Sequence, residues 1–442
     1  MVLEVNNQSA SINDLEQTKL FKKRWFMLLL YMVVVPCGAL QWTQYVVVAD
    51  VIVDYYQVSY EDVNWTNLIT VLFFVMFSLP SGYVIDKYGC RKSAIISGIG
   101  ICVATWIKVV SVSPDKFWLV IFAQAVLAIF QSPMFNMPPK IAANWFGPDE
   151  VSMACSMGLT GTQVGLALGF VLPPYLIKKK TVEGDLFMTN IGIAVVCTIA
   201  ALLLIFYKPS VPPSYAAMNQ SHQTKYIESA KVLIKNISFL LIVLGFGLNL
   251  AIYVVVQTIL NQLVLKFYPD GAKDVGWIGL LIVISGICGS IVTGYLLDKY
   301  KVFRLLLLFF GFSVTLALTG FTYTLHLHII YAYTICPLFG FLSSSFWYVC
   351  LQIAIETTYP QPEIIIFGLL NAFGELLGIG YTYVYSYLFY EIHVYWANTF
   401  LCINSMVSFL ILLFTKYELK RLKENSKQSE TDVPQLDVLK EN

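Results

Sequence analysis

Charge is what this sequence has least of. Asp, Glu, Lys and Arg together make up 12% of its 442 residues, where soluble domains carry about 25%. Half of an ordinary ionic surface is missing, which excludes a string of soluble domains. The 28 basic and 27 acidic residues leave a net charge of +1, so the basic field that a nucleic-acid partner requires is absent. Histidine is also scarce, with only His222, His326, His328 and His393. No HExxH, nucleophile elbow, P-loop or GxGxxG occurs, and this excludes the common enzyme classes. The nine cysteines form no CxxC pair, so we expect no disulfide, metal or cofactor.

Long apolar runs take the place of charge. The hydrophobic fraction is 57% and the mean hydropathy +0.69. A helix crossing hydrocarbon needs about 20 mainly apolar residues. Twelve stretches qualify: 25–48, 64–85, 93–113, 116–138, 151–177, 187–207, 238–265, 276–297, 303–323, 327–350, 364–388 and 394–415. The sequence therefore predicts an all-α polytopic protein of the lipid bilayer. Residues 1–21 are polar and the first apolar run is too long for a signal-peptide core, so no cleavable signal is expected. With both termini in the cytoplasm, 21 of the 28 Lys and Arg fall inside, which obeys the positive-inside rule. The remaining seven, Lys108 and the Lys178–Lys180 run among them, fall outside or near the outer face. Asp50 and Asp54, at the outer end of span 1, read as solvated.

An internal duplication divides the chain. Asp62-Val63-x-Trp65 is followed by Gly82-Tyr83-x-x-Asp86-Lys87-Tyr88, and an offset of 212 gives Asp274-Val275-x-Trp277 and Gly294-Tyr295-x-x-Asp298-Lys299-Tyr300. Between 62 and 88, 11 of 27 positions are identical, against about two from composition. Twelve spans then form two six-helix bundles in parallel repeat. The predicted organisation is a cytoplasmic segment 1–24, bundles 25–207 and 238–415, a polar linker 208–237 with Pro209, Pro212 and Pro213, and a cytoplasmic tail 416–442. Parallel halves suit a transporter that rocks two bundles about a midplane site.

Gly82-x-x-x-Asp86-Lys87-x-Gly89-x-Arg91-Lys92 resembles the signature loop of the major facilitator superfamily. Gly82 would permit close helix approach, Gly89 a tight turn, and Asp86 or its counterpart Asp298 an ion pair that breaks between conformations. Glu356, near the cytoplasmic end of span 10, reads as a gating or anchoring residue.

A narrower resemblance runs through both halves. Its segments include Gln41-Trp42-x-Gln44-Tyr45, Lys140 to Pro148, Gln163-x-Gly165, Leu260-Asn261-Gln262, Glu356-x-Thr358-Tyr359-Pro360 and Gly368-Leu369-Leu370-Asn371-Ala372. These are similar to the feline leukaemia virus subgroup C receptor-related transporters. The resemblance implies facilitative transport of choline and ethanolamine, with haem export as the alternative. Proton-coupled carriage of another small organic cation is a further alternative, and a functional monomer is expected.

The residues can be weighed against that implication. A quaternary ammonium offers no N–H and is held best by aromatic faces, Trp above all. Trp42 lies mid-span, away from the interfacial belt where membrane Trp usually sits. Tyr45, three residues on, would share its side of the helix, with Gln41 beside it. Tyr253 and Gln257 share a face of span 7 at i, i+4, although the family places its cage tyrosine at the position of Val254. In span 5, Gly161, Gly165 and Gly169 form a small-residue stripe, and Gln163 points away from it toward a cavity. The relatives carry glutamine where this chain has Glu375, one turn after Asn371. An intramembrane carboxyl is costly and marks function. Ionised, it would attract a cation; protonated, it would donate a hydrogen bond. The family's span 1 asparagine is Gly38 here, which would remove a polar contact and widen the pocket. His326-x-His328 is the candidate for haem contact, against its plain reading as a polar loop.

Overall fold

The computed structural model describes residues 23–146, 151–178, 180–206, 226–361, 363–416 and 418–420. Every regular element among them is helical, as apolar chain in lipid must be when its backbone can find no water. In order these are α1 (Lys23–Thr43), α2 (Ala49–Tyr56), α3 (Tyr60–Val110), α4 (Phe117–Asn136), α5 (Pro138–Trp145), α6 (Val151–Leu176) and α7 (Val182–Leu203). They continue with α8 (Tyr226–Ile234), α9 (Ile237–Phe267), α10 (Ala272–Tyr300), α11 (Phe303–Thr324), α12 (Ile329–Thr358), α13 (Glu363–Tyr387) and α14 (Val394–Phe414). By length and hydropathy, ten of the described helical segments can cross a membrane. The part of α3 before Gly89, and α6 with its 26 residues, stand at the other two predicted positions.

Local chemistry sets the breaks. α3 is 51 residues long because two spans meet at Gly89, where φ is +78° and ψ 161°. An L side chain rarely adopts that backbone, so glycine makes the reversal there. The start of α3 is closed by a capping box, with Asp62 N–H donating to Ser59 Oγ and the Ser59 N–H donating to Asp62 Oδ2. The first predicted span does not run unbroken to 48: α1 stops at Thr43, a 3-10 turn covers Val46–Val48, and α2 follows. Within the predicted linker, residues 226–234 form α8, while Pro209, Pro212 and Pro213 lie outside the described residues.

By contacts the chain groups into two compact units, residues 1–224 with 257–283, and residues 225–256 with 284–442. In the first, the glycine stripe of α6 lies on α1. A Cβ at Gly165 would come within 2.6 Å of Ala39 Cβ and 2.7 Å of Pro36 O, so the helices approach at a distance that only glycine allows. In the second, Gly374 and Gly378 of α13 meet Gly247, Leu250 and Val254 of α9 in the same way.

The duplicated loop builds the same local structure twice. The Lys87 ammonium lies 5.6 and 5.5 Å from the rings of Tyr83 and Tyr88, and Lys299 lies 5.4 and 5.3 Å from Tyr295 and Tyr300. The predicted role of Gly82 needs correction: among the described residues nothing lies within 4 Å of where its Cβ would stand, so it makes no close helix approach to them. Arg91 is exposed and Glu356 is buried. The side chains of Asp86 and Asp298 lie outside the described residues.

Candidate functional site

In the first unit, α1, α3 and α4 bring three aromatic rings together. Trp42 stands 6.0 Å from Phe74 and 6.3 Å from Phe135, which are themselves 4.9 Å apart at 85°. The indole is anchored by its edge: Nε1–H donates to Gln131 Oε1 at 3.1 Å. Gln131 also answers the question posed by Gly38. A Cβ at Gly38 would stand 2.5 Å from Gln131 Oε1, so the space that glycine opens is filled by a carboxamide from α4 rather than added to a pocket. Gln131 Nε2 is buried without a hydrogen-bond partner among the described residues.

Gln163 of α6 and Gln257 of α9 are half-buried, yet Gln163 Oε1 and Gln257 Nε2 are buried and unpaired among the described residues. Leaving such a group unmade costs about 1–3 kcal/mol, so it needs a reason. Beyond Gln257 the α9 polar groups are engaged. Asn67 Nδ2 donates to Thr258 Oγ1 at 2.8 Å, Gln262 Nε2 to Asn64 Oδ1 at 2.7 Å, and Asn261 Nδ2 to Val47 O at 2.7 Å and Asp50 Oδ1 at 3.3 Å. Asp50 is therefore buried and bonded, not solvated as the sequence suggested.

Two predicted neighbours of Trp42 are engaged elsewhere. Gln41 donates through Nε2 to Cys37 O at 3.0 Å and Thr105 Oγ1 at 3.1 Å, and its backbone carbonyl accepts from Gln124 Nε2, while Oε1 is buried without a partner among the described residues. Tyr45 does not share a helix face with Trp42, because α1 has ended two residues before it. Its ring is fully buried 5.5 Å from the ammonium of Lys108, and its hydroxyl accepts from Asn190. Lys108 itself, read from sequence as outside or near the outer face, is fully buried, with Nζ unpaired among the described residues.

In the second unit a parallel cluster forms around Tyr253. Its ring meets Trp347 at 4.7 Å and 85°, and Phe339 at 6.2 Å. The Trp347 Nε1–H is held by Asn249 Oδ1 at 2.8 Å. One residue later is about 100° of helix, and Val254 accordingly faces α13, where it packs on Gly378. The tyrosine here thus addresses α12, while Val254 addresses α13. On α13, Glu375 Oε2 is buried with no hydrogen-bond partner among the described residues. The α9 surface beside its glycine neighbours consists of Gly247, Leu250 and Val254, all apolar. Asn371 folds its Nδ2 back onto Phe367 O at 2.9 Å. The histidine pair resolves to its plain reading, since His328 Nδ1 accepts from the Ile330 N–H and caps α12.

Gln131, Trp347 and Asn249 were not singled out from sequence. The signal for Gln131 was present: Gln124 and Gln131 stand two turns apart in an otherwise apolar span, and both are buried.

Two units of long apolar helices, ten of the described segments long enough to cross a bilayer, define a multi-pass membrane protein. Its superfamily is shown by the match of residues 30–382 to the Major Facilitator Superfamily model. The chain is 32% identical to the choline/ethanolamine transporter flvcr2a of Danio rerio, across 94% of this chain and 91% of that one. It is 30% identical to the choline/ethanolamine transporter FLVCR2 of Homo sapiens, across 96% and 82%. Within the superfamily the chain belongs to the feline leukaemia virus subgroup C receptor-related family. The fold is also that of a bacterial homolog of the human lysosomal transporter Spinster in an inward-facing, occupied conformation, with a TM-score of 0.67 at 12% identity, covering 89% of this chain and 97% of that one.

Proposed function

We propose that this transporter is a facilitative uniporter of choline, ethanolamine or a closely similar organic cation. One observation carries the reading: Gln163, Gln257 and Glu375 keep buried polar atoms without partners among the described residues, in a protein whose Trp42 and Tyr253 sit in aromatic clusters. An organic cation supplies what these groups lack. In the first unit the carboxamides suit its hydroxyl or amine and the Trp42 cluster its alkyl groups; in the second the Glu375 carboxylate suits its charge and the Tyr253 cluster its alkyl groups. The relatives named for choline and ethanolamine support the same substrate class. Trp42, Gln163, Gln257, Tyr253 and Glu375 are the proposed contacts. Gln41, Tyr45 and Asn371 support them through the helices, given the bonds they already make. We place the protein in the plasma membrane as a monomer, with both termini in the cytoplasm and with Gly89, Arg91, Glu356 and the Asp86 and Asp298 loops serving the conformational change.

Labelled choline and ethanolamine uptake in transporter-null cells tests this, comparing wild type with Trp42→Ala. Uptake of at least one amine by wild type and its loss in the variant is the expected result. No uptake of either amine by well-expressed wild type would overturn the substrate and leave the fold untouched.

A further inference from the structure

The first unit holds a pair of thiols that the transport reading leaves unused. Cys37 stands on α1 and Cys197 on α7, 160 positions apart in the chain, and both are free. The lack of a CxxC pair excludes a disulfide between near neighbours only, and here the packing of two helices brings distant cysteines together. The Cys197 thiol donates to the Cys37 carbonyl oxygen at 3.8 Å, and the two side chains also interact directly. Gln41, one turn along α1, spans the pair, with Nε2 3.0 Å from Cys37 O and 3.9 Å from Cys197 Sγ.

The setting differs from that of a cysteine used only to pack two helices. Three polar side chains converge on Cys197. The Gln41 amide and the Thr105 hydroxyl bond to it, and the Lys108 ammonium interacts with it electrostatically. That ammonium is fully buried, with no hydrogen-bond partner among the described residues. A thiolate formed at Cys197 would therefore meet a positive charge rather than bare hydrocarbon, and the thiolate is the form that attacks another sulfur. The two thiols also differ in access. Cys37 is half-buried and open to a small neutral oxidant, whereas Cys197 is 2% exposed and stands behind it. An accessible sulfur beside a buried resolving one is the arrangement of a redox-responsive pair.

We propose that Cys37 and Cys197 form a peroxide-responsive dithiol, whose disulfide fastens α1, the helix of Trp42, to α7. Hydrogen peroxide is the oxidant. The Cys37 sulfur attacks its O–O bond, which gives a sulfenic acid on Cys37 and one water. The Cys197 sulfur then displaces hydroxide from that sulfenic acid, and the hydroxide leaves as a second water with the Cys197 proton. The two thiols together supply the two electrons that reduce the peroxide. A dithiol reductant restores both thiols by exchange and is itself left as a disulfide. The pair is separate from the proposed substrate contacts and does not rest on the choice of substrate.

The test is peptide mapping of purified full-length protein, treated with hydrogen peroxide and then alkylated with N-ethylmaleimide in denaturant. Mass spectrometry should find a peptide linking Cys37 to Cys197, and dithiothreitol added before alkylation should abolish it. Cys37→Ser should remove the link and leave Cys197 alkylated. Cys102→Ser should keep it. Cys102 is the rival partner, half-buried with its sulfur 3.2 Å from the hydroxyl of Thr198, the neighbour of Cys197. Exposed Cys288 reports that the peroxide has acted. Recovery of Cys37 and Cys197 as alkylated thiols while Cys288 is oxidised would overturn the proposal. So would sulfinic acid on Cys37 with no link, or a link from Cys197 to Cys102.

Discussion

At the scale of single residues, the indole of Trp42 depends on one bond. Gln131 accepts its N–H and fills the gap at Gly38. Gln131→Leu should therefore leave the ring in place but orphan its N–H, at about 1–3 kcal/mol. Choline uptake by this variant should show a raised KM with kcat reduced less than in Trp42→Ala. Equal loss in the two variants would mean that the bond has no separate role. Glu375 makes a second prediction. With no basic partner among the described residues, its charge depends on protonation alone. Ionised, it favours a bound cation, so uptake should fall as pH is lowered through its titration, and Glu375→Gln should flatten that limb. Parallel pH profiles for wild type and variant would refute this.

The sequence exposed Trp42, Gln163, Tyr253 and Glu375 because each is a polar or aromatic outlier in an apolar run. It concealed Trp347 and Asn249, which stand among other aromatic and polar residues and declare themselves only once α9 and α12 are packed. Tyr45 was misplaced because its spacing from Trp42 assumes a helix that stops at Thr43.

At the scale of elements, glycine sets the distances. Gly165 lies against Ala39 and Pro36, so Gly165→Leu must push α6 off α1. Overpacking of this kind costs about 1–3 kcal/mol or more, and the variant's melting temperature in detergent should fall by several degrees. Gly184 has open space around it, so Gly184→Ala serves as the control and should leave the melting temperature unchanged. The helices themselves were readable from hydropathy alone, since apolar length is what a bilayer selects. Their interruptions were less so. The reversal at Gly89 followed from its loop motif, but no Gly or Pro between residues 39 and 48 marks the stop after Thr43.

At the scale of the whole molecule, the proposed facilitative uniport makes the substrate's own electrochemical gradient the driving force. One elementary charge crossing 100 mV is worth about 2.3 kcal/mol. Reconstituted into vesicles with an inside-negative potential, the protein should accumulate choline roughly tenfold per 60 mV. Accumulation that ignores potential but follows a proton gradient would point instead to proton-coupled carriage.

Among the described residues, the bonds that tie the end of α9 to the Val46–Val48 turn, α2 and α3 are made by carboxamides, a hydroxyl and a backbone carbonyl, together with the Asp50 carboxylate. Such bonds exchange for water at a net of about 0.5–1.5 kcal/mol apiece. Parting them therefore asks mainly for hydration and little for the solvation of ions. Osmolytes that lower water activity should slow that step, while added salt leaves it nearly untouched.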